Sequence, residues 1–389
     1  MYRFPNRPAP VAGCWCLAGL LALLLIAQPA VAQQGPSIQL EPLQTFTESE
    51  QVPFGTIVTA AVASNGVVYI ADNTHLGVHV YSADGTYQQT FGRQGSGPGE
   101  FQMIRKILID PARVHVFDAM QRMVHVFDRQ SYAHIRSMAL GDAQGQPQQR
   151  RSGGMGSRFP VDLFLLDGGN EYLVVLQDMM QPSTLFAEVI DSAGRPKEGR
   201  SVQLKGGDGS EQRSGGMRIV ANVPFMHRTL LAVTESGAFL RNWNAALEFE
   251  WLDEKGEPAE SFSHLHRAVP LERSALDTYF ENAQARVVGG GGGSARPAMA
   301  GMLAQMELPD HWPVVQRIVI DDNDRIWAET IVSDLETRKW MLFSRSGEVL
   351  GTANWDIGTE VVKADGDIVY LRETDDDGIT QVTRYRMTM

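Results

Sequence analysis

Cysteine is nearly absent. The chain of 389 residues has two, Cys14 and Cys16, both inside an N-terminal stretch that reads as an export signal. Arg3 and Arg7 supply a short basic region, Leu17 to Ala27 an apolar core, and Ala30-Val31-Ala32 a small-x-small site, so cleavage is expected near Ala32. Val11-Ala12-Gly13-Cys14 resembles a lipoprotein box but precedes the apolar core instead of following it, and lipid anchoring is not expected. With residues 1–32 removed no thiol remains, which excludes disulfide staples, cysteine nucleophiles and thiolate metal sites. Positive charge is also scarce: 34 Lys and Arg stand against 46 Asp and Glu, a formal net charge of −12. That balance excludes general nucleic-acid binding, which needs clustered cations to displace counterions. After the signal no apolar run is long enough to cross a bilayer, so no membrane span is expected. Catalytic signatures are missing too: there is no HExxH, no GxSxG elbow, and no glycine loop ending in Lys-Ser/Thr.

What the chain does have is a repeat. Val68-Tyr69-Ile70-Ala71-Asp72 lines up with Val114-His115-Val116-Phe117-Asp118, and Val78-His79-Val80-Tyr81 with Val124-His125-Val126-Phe127, both at an offset of 46 residues. Period-two alternation broken by Asn, Asp and Gly is the mark of short antiparallel strands. A repeat of about four strands predicts propeller blades. Further units start at Arg105, Val161, Ile219, Arg317 and Glu360. The last has only three strands, while residues 37–46 form a lone strand at the other end. Pairing the two completes a sixth blade and closes the ring.

Between the fourth and fifth units the period changes. Leu276, Tyr279, Phe280 and Ala283, then Met299, Met302, Leu303 and Met306 after five glycines, fall at helical spacing. The expectation is an all-β, six-bladed β-propeller over 37–389, with a small helical and Gly-rich insertion at 257–312.

The segment Phe91-Gly92-Arg93-Gln94-Gly95-Ser96-Gly97-Pro98-Gly99-Glu100-Phe101, with Asn65-Gly66-Val67-Val68-Tyr69-Ile70-Ala71-Asp72 and Val78–Tyr81 before it, resembles the NHL repeat of exported bacterial six-bladed propellers. The resemblance implies the fold and, more loosely, a binding platform. A few relatives are enzymes such as amidating lyases, so a lyase or hydrolase at the channel is the alternative reading.

In a propeller, the links between blades share one face with the turns joining second to third strands. The long segments here are such links, and loop elaboration over a rigid scaffold is where binding resides. Arg105, Arg158 and Arg93, with Asp72 and Asp118 ending their strands, are therefore the candidate ligand residues, facing a small anionic ligand or a protein partner. His79, His115 and His125 alternate with valines and read as strand residues rather than metal ligands. The runs Asp321–Asp324 and Asp375–Gly378 read as Asx turns rather than calcium loops. No catalytic residue, metal or cofactor is assigned, and a monomer is expected.

Overall fold

A computed structural model of the chain describes residues 35–389 apart from 141–157, 275–308, 332–336 and short breaks at 50–51, 179–180, 182, 209–210, 215–216, 221–224, 235, 254, 273 and 376. Six antiparallel sheets of four strands carry the architecture. Blade one is Ile57–Val62, Val68–Asp72, Gly77–Tyr81 and Tyr87–Phe91. In blade two Ile104–Ile109, Arg113–Asp118, Met123–Asp128 and His134–Ala139 repeat the plan. Blade three runs from Arg158–Leu166 to Pro196–Lys205, and blade five from Val315–Ile320 to Val349–Asp356.

The sixth blade closes the ring as the sequence predicts. Gln39–Phe46 pairs antiparallel with Thr380–Thr388, from Gln39 opposite Thr388 to Phe46 opposite Val382. The residues just before it also grip blade five: the Ile38 amide donates to the Thr352 carbonyl at 2.8 Å and the Thr352 amide to the Pro36 carbonyl at 2.9 Å. One segment thus ties two blades.

Each pair of neighbouring blades shares its own apolar core. Tyr69, Val78 and Val80 meet Val114 and Val116 between blades one and two. Phe249 and Trp251 meet Ile326 and Phe343 between four and five. Phe46 and Tyr370 meet Val68 and Ile70 where blade six returns to blade one. Middle strands are covered on both faces, so Val68–Asp72 and Gly77–Tyr81 are buried throughout. Burying one such large side chain is worth about 1.5–3 kcal/mol, and no disulfide is needed.

Blade four differs from the expectation. Its strands are Thr229–Val233, Phe239–Trp243, Glu248–Leu252 and Pro258–Ser263, so the unit begins one strand later than the alternation at Ile219 suggests. Met217–Val220 pairs instead with Glu211–Ser214 in a separate hairpin. A hairpin strand and an inner strand share the same period, and only pairing distinguishes them. The outer strand Pro258–Ser263 in turn takes the start of the span 257–312 expected as an insertion. No helix is seen in the described parts of that span beyond a single helical position, Ser274. The two expected helices, at 276–283 and 299–306, lie outside the described residues.

Inner strands carry one further feature that positions the site. In five blades the register slips at the same place, between Ile57 and Thr59, Ile104 and Lys106, Pro160 and Asp162, Val315 and Arg317, and Val361 and Lys363. A bulge there bends the strand and re-aims the next side chains.

Candidate functional site: the channel mouth

All six inner strands begin on the face that carries the inter-blade links, so their first residues ring the mouth of the central channel. Arg105 is the bulge residue of blade two, and its Nε donates to the carbonyl of Val161, the bulge residue of blade three, at 2.9 Å. Lys106 pairs with Asp162 at 2.8 Å and lies 3.8 Å over the Phe164 ring. Arg228 directly precedes the inner strand of blade four. Its backbone amide donates to Asn244 Oδ1 at 2.8 Å, while its side chain is exposed and has no partner among the described residues. The surrounding protein pushes the Arg228 guanidinium pKa down, and the like charges of Arg105 and Arg317 push it further; Asp162 opposes them only weakly. The charges of Arg105 in blade two and Arg317 in blade five thus both act on Arg228 of blade four.

On the blade five side the charges are shared. Arg317 donates through Nη2 to Glu360 Oε1 at 2.5 Å and lies 3.5 Å from Glu329. Arg372 also donates to Glu360, through Nε at 3.1 Å, and reaches the Ile57 carbonyl of blade one at 2.9 Å. Burial works against the ionised form of Glu360, but the two arginines outweigh it and hold its carboxyl below the usual range. Among the described residues, Arg105, Arg228, Arg317 and Arg372 here meet the carboxylates Glu329, Glu360 and Asp162, a local cationic surplus in an acidic protein.

Of the residues singled out from sequence, Arg105 joins this cluster. The Asp72 carboxylate is fully buried. It accepts from the amides of Gly55 (2.7 Å), Thr56 (3.1 Å) and Thr74 (2.8 Å) and contacts His75 Nδ1 at 2.7 Å. Burial alone would raise its pKa, but the nearby His79, with bonds from His75 and backbone amides, holds it well below the usual range. Asp118 is equally buried and accepts from the amides of Gln102 (2.6 Å), Met103 (3.2 Å) and Gln121 (2.8 Å). Both tie the link entering a blade to the end of its second strand. Arg158 lies over Phe186 at 3.7 Å and pairs with Glu188 at 2.5 Å. Arg93, largely exposed, pairs with Glu100 at 2.7 Å. The same Glu100 accepts from the Gly97 amide at 2.8 Å, so the glycine-rich link is closed upon itself.

The three histidines of the middle strands in blades one and two are internal. His79 is bonded to Thr90 (2.7 Å), His125 to Ser137 (2.8 Å), and His115 to Asp110 (2.8 Å) and Tyr172 (2.9 Å). Among the described residues no three His, Cys, Asp or Glu converge as a metal site.

Sequence reasoning missed Arg228, Arg317, Glu329 and Glu360. One signal was available: Lys106-Ile107-Leu108-Ile109-Asp110 and Arg317-Ile318-Val319-Ile320-Asp321 share a cation and an Asp at the same spacing. In both, the cation follows the bulge and the Asp starts the opposite turn. There Asp110 holds Arg113 and His115 as Asp321 holds Arg325 and Trp327. Arg228 has no such pattern around it.

Comparison with known proteins agrees with this architecture. A family described as a 6-bladed beta-propeller, DUF5128, matches residues 38–145. No curated protein sequence matches the chain. A Bacteroides fragilis protein described as exported has 12% identity over 90% of this chain and 96% of its own, with a TM-score of 0.50. A DUF4221 family member from Bacteroides vulgatus has 10% identity over 91% and 99%, also with a TM-score of 0.50. Such likeness is one of fold. A catalytically inactive virginiamycin B lyase from Staphylococcus aureus, crystallised with quinupristin, overlaps at a TM-score of 0.41, with 12% identity over 90% and 89%, too loosely to bear on function. The ring, its closure and the family match make this chain a six-bladed β-propeller protein.

Proposed function

We propose that the protein is an exported, monomeric propeller that acts as a binding module, with a ligand or protein partner presenting an anionic group to the channel mouth. One observation carries this reading: Arg228, exposed at the head of the inner strand of blade four, has no side-chain partner among the described residues, and the like charges of Arg105 and Arg317 act on it. An unpaired guanidinium beside like charges is favourable ground for a bound oxyanion, because the anion relieves the repulsion and accepts bidentate bonds. Arg105 and Arg228 make the primary contacts, and Arg317 flanks them. Export is supported by the leader pattern, and cleavage near Ala32 leaves every strand of the ring intact.

The test is thermal unfolding in a panel of anions against chloride at equal ionic strength. Sulfate, citrate and a sugar phosphate are expected to raise the Tm of the wild type, and Arg228→Glu to abolish the rise. Because among the described residues Arg228 bonds only through its backbone, the variant should keep its own fold and its own Tm. Equal stabilisation by chloride, or a rise unchanged in Arg228→Glu, would discard the reading.

A further inference from the structure

Glu329 differs from the other carboxylates of the mouth. It lies in the second strand of blade five, opposite Arg317 on one side and Trp340 on the other, and is 7% exposed. Arg317 stands 3.5 Å away and Arg338 3.6 Å away. These separations exceed those of charge-assisted hydrogen bonds, and no donor among the described residues reaches the carboxylate. Glu360, by contrast, takes direct donors from two arginines. A carboxylate removed from water without donors favours its protonated form. Burial accordingly raises the Glu329 pKa, with Arg317 and Arg338 opposing and Glu360 adding to the rise. Among the described residues those three are the charged groups that face it, from the inner strand, the third strand and blade six.

We propose that the mouth is a proton-linked receptor for a small dianion of oxyanion chemistry (a sulfate, phosphate monoester or dicarboxylate), and that Glu329 is the group that takes up the proton. The proposal rests on the anion-site reading above. With Glu329 ionised, Arg317 is shared between two carboxylates and its charge is spent within the protein. With Glu329 protonated, Arg317 keeps Glu360 through Nη2, and its Nε edge is released toward the anion. A compact ligand fits because the acidic protein as a whole repels extended polyanions, while the cationic surplus is local.

Calorimetric titration with sodium sulfate separates the two ideas, since sulfate keeps its charge through the working range and any proton taken up belongs to the protein. Binding is expected to be tighter at about pH 5.5 than at about pH 8, by up to about tenfold per pH unit with one linked proton. Titrations in buffers of different ionisation enthalpy should report that proton. Glu329→Gln is expected to bind at about pH 8 as tightly as the wild type does at about pH 5.5, with a flat profile and no proton uptake. A flat profile in a wild type that binds sulfate, or an unchanged slope in Glu329→Gln, overturns the proton linkage and leaves the anion site standing. Absence of sulfate binding at every pH in both proteins overturns the site itself.

Discussion

Asp72 and Asp118 occupy equivalent positions in two blades, and each carboxylate is spent on backbone amides rather than on solvent. The sequence shows their recurrence and their place at the ends of second strands. It does not show which way the side chains turn, because a rim carboxylate and a buried staple occupy the same repeat position. Two other internal groups give a pH dependence. Hydrogen bonds from His115 and Ala112, with the charge of Arg113, overcome burial and hold the Asp110 carboxyl down at about 2. A depressed carboxylate contributes stability that is present above its unfolded value, about 3.9, and is lost as pH falls through about 2. Burial lowers the His125 pKa to about 4 against an ordinary value of 6.5. The unfolded chain therefore takes up that proton first, and stability falls between about 6.5 and about 4. Urea midpoints are expected to drop in two stages on acidification, with His125→Asn removing part of the first. A first stage unchanged in that variant would show that His125 is not its source.

At the scale of elements, the first strand does more than fill an edge. Gln39–Phe46 completes blade six, and residues 36–38 bond to the outer strand of blade five. Phe46, fully buried, joins the core between blades six and one. Deleting residues 35–46 is expected to leave an exposed edge and a breached core, converting one sharp calorimetric transition into a broad one at lower temperature. A deletion variant that melts like the parent would show that the ring does not depend on this closure. This closure was legible because an unpaired strand at one end and a three-stranded unit at the other imply each other. The start of blade four was not, since Ile219 and its neighbours alternate like an inner strand while pairing in a hairpin of their own. The bulges were invisible as well: a register slip leaves no mark in composition, yet it decides where Arg105 and Arg317 point.

For the whole molecule, the ring brings to one axis residues far apart in sequence. Arg105, Arg228 and Arg317 belong to three blades, and no local motif connects them; only closure of the ring makes them neighbours. Arg105 could be picked out as a cation at the head of an inner strand. Arg228 required the structure, because its importance lies in having no side-chain partner among the described residues. The formal net charge of −12 surrounds this cationic mouth with an opposing field, so binding of a small anion should be selective over long polyanions and should weaken with added salt.

The most direct measurement is an anomalous difference map from crystals soaked in selenate, a heavier analogue of sulfate. The expected result is a selenium peak within hydrogen-bond reach of the Arg105 and Arg228 guanidiniums in the wild type, absent in Arg228→Glu crystals of the same form. A wild-type map with no peak at the mouth, while selenate occupies other sites on the surface, would contradict the account.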